Sequence, residues 1–511
     1  MRRSQWEFAL SLDRSDRAPL YLQITRAFVD EITRGRLQPG DVLPGTRTLA
    51  ARLRVNRVTV LTAYEELAAE GWITTQPARG CMVAAQAVPS SQRRAGTAPA
   101  TMAVAPPYTL APAPVVQRSP EHLSGVLVFG ASSPDPRLLD VEPLARAYRR
   151  ALQKGGGRLL GYSDPQGHPR LRAGIAGMLC ATRGMSVSAE QVFVTRGSQM
   201  ALALTARAIL RPGDVVAVEA LGYRQIWQTF QAAGAEPVPV PVDRFGLDTR
   251  RLADLLRSRR ISAVYVTPQR QFPTTVTMSL ARRRHLLELA SAHRVAILED
   301  DYDHEFHYEG ARQLPLASRD SAGTVVYVGS FSKLLAPGVR LGFVSGPRQL
   351  LDRLAAHREC LDLQGDCATE AAVAEMLEDG EVQRHVRRVG RIYRLRRDTL
   401  AELLRDTFGD RLAFDVPSGG VALWLRASAI DVESWGRAAL ERGVAFQTAR
   451  AFRFDSRPQP YARLGYACLD ADELREAVRR LRCAMDALPP RDSSARFGPQ
   501  HDPLDTLLRR A

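Results

Sequence analysis

The segment GSFSKLLAPGVRLGF, residues 329–343, contains a lysine in a chain that almost never uses one. Lysine and arginine together number 70, yet only Lys154 and Lys333 are lysines. An arginine keeps its proton in proteins, whereas an ammonium can lose its proton and act as a nucleophile. Lys333 is therefore a candidate nucleophilic amine. The alternative is that both lysines survived compositional drift, and the neighbouring residues have to decide.

Hydroxyl, carboxylate and guanidinium groups follow several apolar runs of the sequence. A glycine and polar residues that open a helix suit a phosphate, because free N–H groups and the helix dipole favour an anion. A lysine beside hydroxyls and an arginine fits a Schiff base with pyridoxal phosphate, with an aspartate on the ring nitrogen. Taken by itself, the acidic run EDDYDHEF is also compatible with a metal cluster or a solvated loop, and the serines are also compatible with turns. The residues concerned are Gly197, Ser198 and Gln199 after VFVT, Asp300 and Tyr302 after VAILE, and Ser330, Ser332 and Arg340 around Lys333.

From about residue 125 short apolar runs alternate with amphipathic helical patterns. VFVT precedes SQMALALTARAIL, VVAVE precedes YRQIWQTFQAAG, and AVYVT, VAILED and VVYVGS follow. This alternation predicts a doubly wound α/β fold with a largely parallel sheet. Ligands of such sheets bind beyond the carboxyl ends of the strands, which is where the polar residues fall.

The first 80 residues have a different pattern. A helix is predicted from near Pro19 to the turn LQPG, then a short helix, a break at RVN and a longer helix with Asn56 as its N-cap. Val60, Ala63, Tyr64 and Leu67 form one apolar stripe along the longer helix. With WITTQPARGCMVA as a β-wing, this predicts a winged helix-turn-helix. A small helical dimerisation or docking domain is the alternative.

This head resembles the winged helix of GntR-type regulators over some 60 residues, from LYLQI to AAEGWI. The resemblance implies that Arg47, Asn56, Arg57 and Thr59 form the DNA-contacting set and that the wing tip at Gly80 reaches the minor groove. The chain departs from the common pattern at three places, which are Gly45 for a serine, Arg54 for a glycine and ARGC in the wing.

The remainder resembles fold-type I aminotransferases over about 350 residues, and the whole chain resembles the MocR/GabR-type branch of the GntR regulators. The stretches that carry the resemblance are GYSDPQGHPRLRAGIAGML, VTRGSQMALALTARAILRPGDVVAVEALGYRQ, VTPQRQFPTTVTMS, LEDDYDHEF, SFSKLLAPGVRLGF and YARLGYA.

The resemblance implies a role for each matching residue. Lys333 would hold pyridoxal 5'-phosphate as an internal aldimine, with Asp300 on the ring nitrogen, Tyr302 on the phenolic oxygen and Tyr223 near the ring. The phosphate would be bound by Ser198, Gln199, Ser330 and Arg340, with Tyr162 contributed by a neighbouring subunit. Gly197 and Ser332 complete the cofactor-binding set, and Arg463 would receive an effector carboxylate. The alternative for Arg463 is a structural ion pair.

Three positions differ from forms common in this branch. Arg270 stands where a histidine is usual, Thr275 where glycine is frequent, and Ala422 where a histidine is common.

The domain organisation follows from composition. We expect a winged helix over residues 1–83, a flexible linker over 84–120 rich in Ala, Pro, Ser and Thr, an aminotransferase-like domain over 121–487 and a tail over 488–511. The net charge of +15 and a pI near 10 favour an anionic partner. No apolar run is long enough to cross a bilayer, so a cytoplasmic protein is expected. The six cysteines contain no CxxC pair, and neither disulfides nor a metal site is predicted.

The sequence thus predicts a dimeric regulator that binds double-stranded promoter DNA and senses an amino acid or amine by aldimine exchange at Lys333. In this interpretation the aminotransferase-like domain serves sensing without physiological turnover. Two alternatives stay open, an active aminotransferase with an accessory head and a regulator of cofactor synthesis that senses pyridoxal phosphate itself.

Overall fold

The computed structural model describes residues 10, 12–16, 18–76, 80–85, 108–110, 125–130, 132–427 and 430–488. The chain divides into two compact units, Met1–Pro112 and Ala113–Ala511. Most of the predicted linker and tail lies outside the described residues, so the predicted domain boundaries stay predictions. No helix in the described ranges is long and apolar enough to cross a membrane.

The first unit has three helices followed by an antiparallel strand pair. Asn56 caps the third helix, since its Oδ1 accepts a hydrogen bond of 2.9 Å from the backbone N–H of Val58. Arg54 ends the second helix in the left-handed region at φ 53°, a conformation that favours glycine. The elements are α1 Leu20–Thr33, α2 Thr46–Leu53, α3 Arg57–Ala69, β1 Ile73–Gln76 and β2 Gly80–Val83.

The predicted apolar stripe of α3 forms the core of this unit. Val60, Ala63, Tyr64 and Leu67 are all buried. They pack with Ile24, Phe28 and Ile32 of α1 in a single apolar cluster. The three helices therefore enclose one small core.

The second unit contains the remaining elements. Its helices are α4 Val141–Leu159, α5 Pro169–Arg183, α6 Ser198–Ile209, α7 Arg224–Ala232, α8 Thr249–Ser258, α9 Leu280–His293, α10 Arg348–Glu359, α11 Cys367–Glu378, α12 Glu381–Phe408, α13 Val432–Glu441 and α14 Ala471–Asp486. Its strands are β3 Leu127–Val128, β4 Val192–Thr195, β5 Val215–Glu219, β6 Glu236–Val240, β7 Val242–Asp243, β8 Gly246–Leu247, β9 Ile261–Val266, β10 Ala296–Asp301, β11 Val325–Ser330, β12 Gly342–Ser345, β13 Leu412–Phe414, β14 Ala422–Ala427, β15 Val444–Ala445, β16 Gln447–Thr448 and β17 Tyr461–Gly465. Short 3-10 turns lie at Pro136–Leu138, Ala189–Gln191, Leu316–Arg319, Pro337–Val339, Gly409–Arg411 and Ala449–Ala451.

A seven-stranded sheet is the centre of this unit, in the order β4-β12-β11-β10-β9-β5-β6. The pairs among β11, β10, β9, β5 and β6 are parallel, and β12 runs antiparallel to both of its neighbours. Strands β4, β5 and β11 are buried along their whole length, as expected where helices cover both faces. The predicted α/β class is confirmed, and the carboxyl ends of β10 and β11 lie side by side.

A second, smaller sheet has the order β13-β14-β17-β16 and is antiparallel. Its apolar residues share one core cluster with α12, α13 and α14, with Trp435 completely buried in it. This layer carries Arg463, which the register pairs with Trp424 on one side and Gln447 on the other. The arginine is thereby set in the middle of a rigid sheet.

Candidate functional site

Asp300 and Lys333 lie at the ends of neighbouring parallel strands. Asp300 of β10 is in register with Val328 of β11, and Lys333 follows three residues after β11 ends at Ser330. The lysine is close enough for its positive charge to favour the ionised form of Asp300. The sheet therefore brings together two groups that are 33 positions apart in the sequence.

Asp300 is 7 % exposed, and only one of its two carboxylate oxygens accepts a hydrogen bond from a described residue. Its Oδ2 accepts a hydrogen bond of 2.8 Å from the Tyr265 hydroxyl, while its Oδ1 is buried without a partner among the described residues. Burial raises the pKa of Asp300 to about 6, and the Tyr265 hydrogen bond and the charge of Lys333 oppose this rise. A buried carboxylate oxygen that lacks a donor fits the protonated ring nitrogen of a pyridine cofactor.

Arg340 and the start of α6 form a cradle for an anion. Gly197, at φ 83°, precedes α6, and a Cβ added there would lie 2.9 Å from Nη2 of Arg340. The same nitrogen donates to the carbonyl of Arg196 at 2.9 Å. Gly342 packs closely against the first residue of α6, since a Cβ on it would lie 2.8 Å from the backbone nitrogen of Ser198. A guanidinium beside free helix N–H groups is suited to a phosphate.

The other predicted phosphate ligands, Ser330, Gln199 and Tyr162, differ in their burial and in their hydrogen-bond partners. Ser330 is buried, and its Oγ accepts the backbone N–H of Ser332 at 3.1 Å. Gln199 donates from Nε2 to Oγ1 of Thr229 at 2.7 Å, and its Oε1 is buried without a partner among the residues described. Tyr162 is 87 % exposed in the loop between α4 and α5. Its contact with a neighbouring subunit stays a prediction.

Aromatic rings line the side of the site next to Arg463. The ring of Phe272 stands perpendicular to Tyr223 and to Tyr302, with centroids 5.9 Å away in each case. The Tyr302 hydroxyl donates to the carbonyl of Arg270 at 2.9 Å, and burial raises the pKa of that tyrosine. The rings give this side of the site an apolar wall.

Arg463 is 1 % exposed on β17. Its guanidinium carbon lies 4.8 Å from the centre of the Phe272 ring, and its Nη1 donates to the carbonyl of Pro273. Asp303 lies near enough for the charge of Arg463 to favour the ionised form of that carboxyl, so a structural electrostatic role stays open beside the binding role. A buried guanidinium facing aromatic rings is suited to an organic carboxylate.

Two of the residues that depart from the family pattern, Arg270 and Thr275, flank the segment around Pro273, whose carbonyl accepts from Arg463. Arg270 is buried and pairs with Asp303, its Nε lying 2.8 Å from Oδ1 of that aspartate. Gly420 leaves room for it, because a Cβ there would lie 3.0 Å from Cδ of Arg270. Thr275 takes φ 63°, which a β-branched residue adopts with strain. The site therefore has a second buried cation that is held by its own counter-ion.

Two buried groups were not predicted from the sequence. Tyr265 on β9 supports Asp300, and its only sequence signal is a tyrosine inside the mostly aliphatic strand ISAVYV. Glu219, at the end of β5, accepts from the Thr267 hydroxyl at 2.7 Å and from Gln271 at 3.1 Å. Burial raises the pKa of Glu219 to about 7. Tyr265 holds the carboxylate of Asp300, and Glu219 holds the loop that follows β9.

The acidic run EDDYDHEF is largely buried, so it is not a solvated loop. Asp301 accepts from the Tyr327 hydroxyl at 2.6 Å and pairs with His304 at 3.0 Å. Burial opposes ionisation of Asp301, but His304 and Arg183 outweigh it and lower the pKa of that carboxyl. No group of three possible metal ligands occurs in the described parts of the chain.

Most of the predicted DNA-contacting residues of the first unit are exposed, at α2, at the start of α3 and at the start of β2. Arg47, Asn56 and Arg57 are exposed, Thr59 is half-buried, and Arg57 Nε donates to Oγ1 of Thr46 at 3.3 Å. Gly80 is exposed at φ 85°, while the neighbouring residues 77–79 lie outside the described ranges. Val58, which was not predicted, is 64 % exposed on the same helix.

Comparison with known proteins agrees with this two-part organisation. Residues 20–83 match the family of bacterial regulatory proteins called gntR, and residues 128–481 match aminotransferase class I and II. The chain is 34% identical over 484 residues to the probable rhizopine catabolism regulatory protein MocR of Rhizobium meliloti. The alignment covers 94% of this chain and 96% of that protein.

Solved aminotransferases have the fold of the second unit. LysN, the α-aminoadipate aminotransferase of Thermus thermophilus, was solved with N-(5'-phosphopyridoxyl)-L-leucine and superposes with a TM-score of 0.66 at 31% identity, over 72% of this chain and 93% of that chain. The multiple substrate aminotransferase of Thermococcus profundus gives a TM-score of 0.67 at 29% identity, over 71% and 92% of the two chains.

Proposed function

Because the chain belongs to the MocR-type branch of the GntR regulators, we propose that it controls transcription by sensing an amino acid or amine through aldimine exchange at Lys333. The winged helix is a DNA-binding domain, and the second unit has the fold of aminotransferases that depend on pyridoxal phosphate. The effector, the exchange and the roles of individual residues are the parts that we propose.

One observation carries the proposal. Asp300 keeps a buried carboxylate oxygen without a partner among the described residues, within the electrostatic reach of Lys333. An unmatched buried acceptor costs about 1–3 kcal/mol, so a donor from a bound molecule would stabilise this arrangement. The protonated ring nitrogen of pyridoxal phosphate is such a donor.

When bound, pyridoxal phosphate supplies an aldehyde that condenses with amines and a ring that withdraws electrons from the bond formed. Asp300 would accept the ring N–H, with the Tyr265 hydroxyl holding its other oxygen in place. Arg340, Gly197 and Ser198 would bind the phosphate at the start of α6, with Gln199, Ser330 and Ser332 around it and Tyr162 of a second subunit completing the set. Tyr223 and Tyr302 would flank the ring.

Arg463 would select effectors that carry a carboxylate. Its guanidinium is planar and buried, and it is held against Phe272 and the carbonyl of Pro273, so it offers donors in a fixed direction. Desolvated donors of this kind discriminate strongly, because a ligand without the matching acceptor leaves them with fewer hydrogen bonds. An amine without a carboxylate should therefore bind more weakly than the corresponding amino acid.

Effector binding can alter transcription only if it favours one arrangement of the DNA-binding heads. We propose a homodimer that presents two winged helices, each over residues 1–83, through linkers at 84–120 that precede the effector domain at 121–487 and the tail at 488–511. Arg47, Asn56, Arg57, Thr59 and Gly80 would meet the DNA. Since its proposed partner is promoter DNA, the cytoplasm is the proposed place of action.

The two lysines allow a matched test. The protein saturated with cofactor should show the visible band of a Schiff base, and borohydride reduction followed by mass spectrometry should place the label on Lys333. Lys333→Arg keeps the charge and should abolish band and label, whereas Lys154→Arg should leave both unchanged. A label elsewhere, or none in a saturated sample, would exclude the sensing scheme.

The fold also favours a second candidate, an active aminotransferase. Proteins named as transaminases align over most of the second unit, among them the 2-aminoadipate transaminase of Thermus thermophilus at 32% identity. Steady turnover of an amino acid together with no sequence-specific DNA binding would favour the enzyme. DNA affinity that changes with cofactor alone, unaffected by amines, would instead favour a sensor of pyridoxal phosphate.

A further inference from the structure

We propose that a cleft between α5, α12 and the loop after β10 binds a small molecule with an anionic group on an apolar body. The cleft has a volume of about 850 Å³ and lies within the second unit. A volume of this order accommodates a small-molecule ligand. The site is distinct from the cofactor site proposed above and does not depend on it.

The floor of the cleft is apolar and touches the turn that carries Lys333. Met178 of α5, Leu377 of α11 and Val386 of α12 line it together with Leu334, the residue directly after Lys333. Leu334 is 4 % exposed. An apolar ligand body would remove more of the cleft floor from water, which favours binding. A ligand in the cleft would also contact the Lys333 turn directly.

Two helix glycines line the cleft, and no contact with the described residues requires either of them. Gly177 lies inside α5 and Gly390 inside α12, and a Cβ added to either would meet no atom within 4 Å. A glycine inside a helix destabilises the helix relative to alanine, because the glycine backbone loses more conformational freedom on folding. Gly174, one turn earlier on α5, differs, because a Cβ there would lie 3.2 Å from Leu377. The two open glycines therefore have no packing reason within the described chain.

The rim is cationic. Arg387, Arg391 and Arg394 lie on one face of α12 at successive turns, and like charges at this spacing repel one another. Arg394 is offset by Glu309 at 3.6 Å and Asp398 at 4.0 Å. Arg387 and Arg391 form no ion pair with any residue that the structure describes, and neither does Arg312 on the opposite wall. A bound anion would relieve this repulsion.

The two carboxylates that line the cleft each pair with an arginine outside it. Glu305 pairs with the buried Arg183 and also attracts Arg312, and Glu378 accepts from Arg170 at 3.0 Å. They therefore leave Arg387 and Arg391 of the rim without a counter-ion among the described residues. Charge complementarity thus favours an anionic ligand over a neutral or cationic one.

Two polar side chains of the wall retain unmatched buried atoms. Nδ1 of His307 and Oε1 of Gln383 have no hydrogen-bond partner among the described residues. A buried polar atom without a partner is destabilising, because it has lost its hydrogen bond to water. A ligand that brings polar atoms or bound water beside its anionic group would recover part of that cost.

The test uses the full chain with its cofactor and three probes of equal chain length, which are octanoate, octanamide and octyltrimethylammonium. Calorimetric titration should show octanoate binding at least tenfold more tightly than the other two, and rising salt should weaken it. Arg387→Gln with Arg391→Gln should reduce octanoate affinity about tenfold, because both cations of the rim are lost. Arg405→Gln, on the same helix outside the cleft, is the control and should bind as the wild type does.

Filling the cleft is the independent arm. Gly390→Leu and, separately, Gly177→Leu should abolish octanoate binding while the visible cofactor band and the circular dichroism stay unchanged. Gly390→Ala should bind and should unfold at a higher temperature than the wild type. Octanoate that does not bind, that binds no better than octanamide, or that binds unchanged to the filled and the arginine-depleted variants would overturn the proposal.

Discussion

Replacing Asp300 by asparagine should stabilise the cofactor-free protein and weaken its hold on the cofactor. The substitution removes the charge and keeps the shape, and the Tyr265 hydroxyl still finds an acceptor at the remaining oxygen. The two expected effects have opposite signs. They separate the cost of burying this carboxylate from its benefit.

The cost follows from the pKa of Asp300, which burial raises from an ordinary 3.8 to about 6. For an acid whose pKa is higher in the folded than in the unfolded state, the stabilising protonated form is fully present below the unfolded-state value. Stability is then lost as the pH rises through the folded-state value. The difference between these two pKa values corresponds to about 3 kcal/mol of unfolding free energy. The Asp300→Asn variant without cofactor should therefore exceed the wild type by up to about 3 kcal/mol at neutral pH, and by nothing below about pH 4.

The benefit is the hydrogen bond that the ionised Oδ1 would accept from the cofactor ring. A hydrogen bond to a charged group contributes about 1.5–3 kcal/mol. Its loss should weaken cofactor binding about 10- to 100-fold. Unfolding midpoints with and without pyridoxal phosphate, together with a cofactor titration followed by absorption, measure both effects.

Tyr265→Phe is the matched control for this prediction. It keeps the charge but removes the hydrogen bond that opposes the rise in the pKa of Asp300. The cofactor-free protein should therefore become less stable at neutral pH, the reverse of Asp300→Asn. An asparagine variant no more stable than the wild type at pH 7, or one that binds the cofactor equally well, would refute this account of Asp300.

Three further predictions test the cradle, the effector site and the head. Gly197→Ala places a Cβ 2.9 Å from Nη2 of Arg340 at φ 83°, so cofactor affinity should fall at least tenfold in an absorption titration, while pyridoxal without phosphate should bind unchanged. Arg463→Lys should weaken amino acid effectors about tenfold or more and leave the corresponding decarboxylated amines unaffected, as measured by the shift of the visible band. Arg57→Ala should lower DNA affinity about tenfold and reduce the slope of its salt dependence by about one, while the exposed Arg34→Ala control should change neither.

Much of the fold was predictable from short-range patterns. The buried strands coincide with apolar runs such as VVYVGS, which is β11, because a strand covered on both faces needs apolar side chains throughout. The stripe of α3 and the cap at Asn56 were predictable for a similar reason, since a helix has to bury one face and satisfy its first N–H groups. The polar residues around Lys333 were found because they follow strand ends.

The groups that hold those residues in place could not be predicted in the same way. Tyr265 and Asp300 meet across two strands, and Arg463 reaches Pro273 over 190 positions. The free oxygen of Asp300 and the aromatic wall beside Arg463 depend on such contacts, which leave no regular spacing in the chain. In the sequence, Gly177 and Gly390 only indicate weak points of two helices. The structure shows that both glycines line the same cleft.

The order of residues along the chain was sufficient for the fold class, the two-part architecture and the chemistry to seek at Lys333, because periodicity, caps and strand ends are local properties. Which charges are matched, which buried atoms lack partners and where space remains were settled by packing between distant segments. The physical reason is that burial and Coulomb energy depend on distances in space, and these follow from how the sheet and the helices assemble.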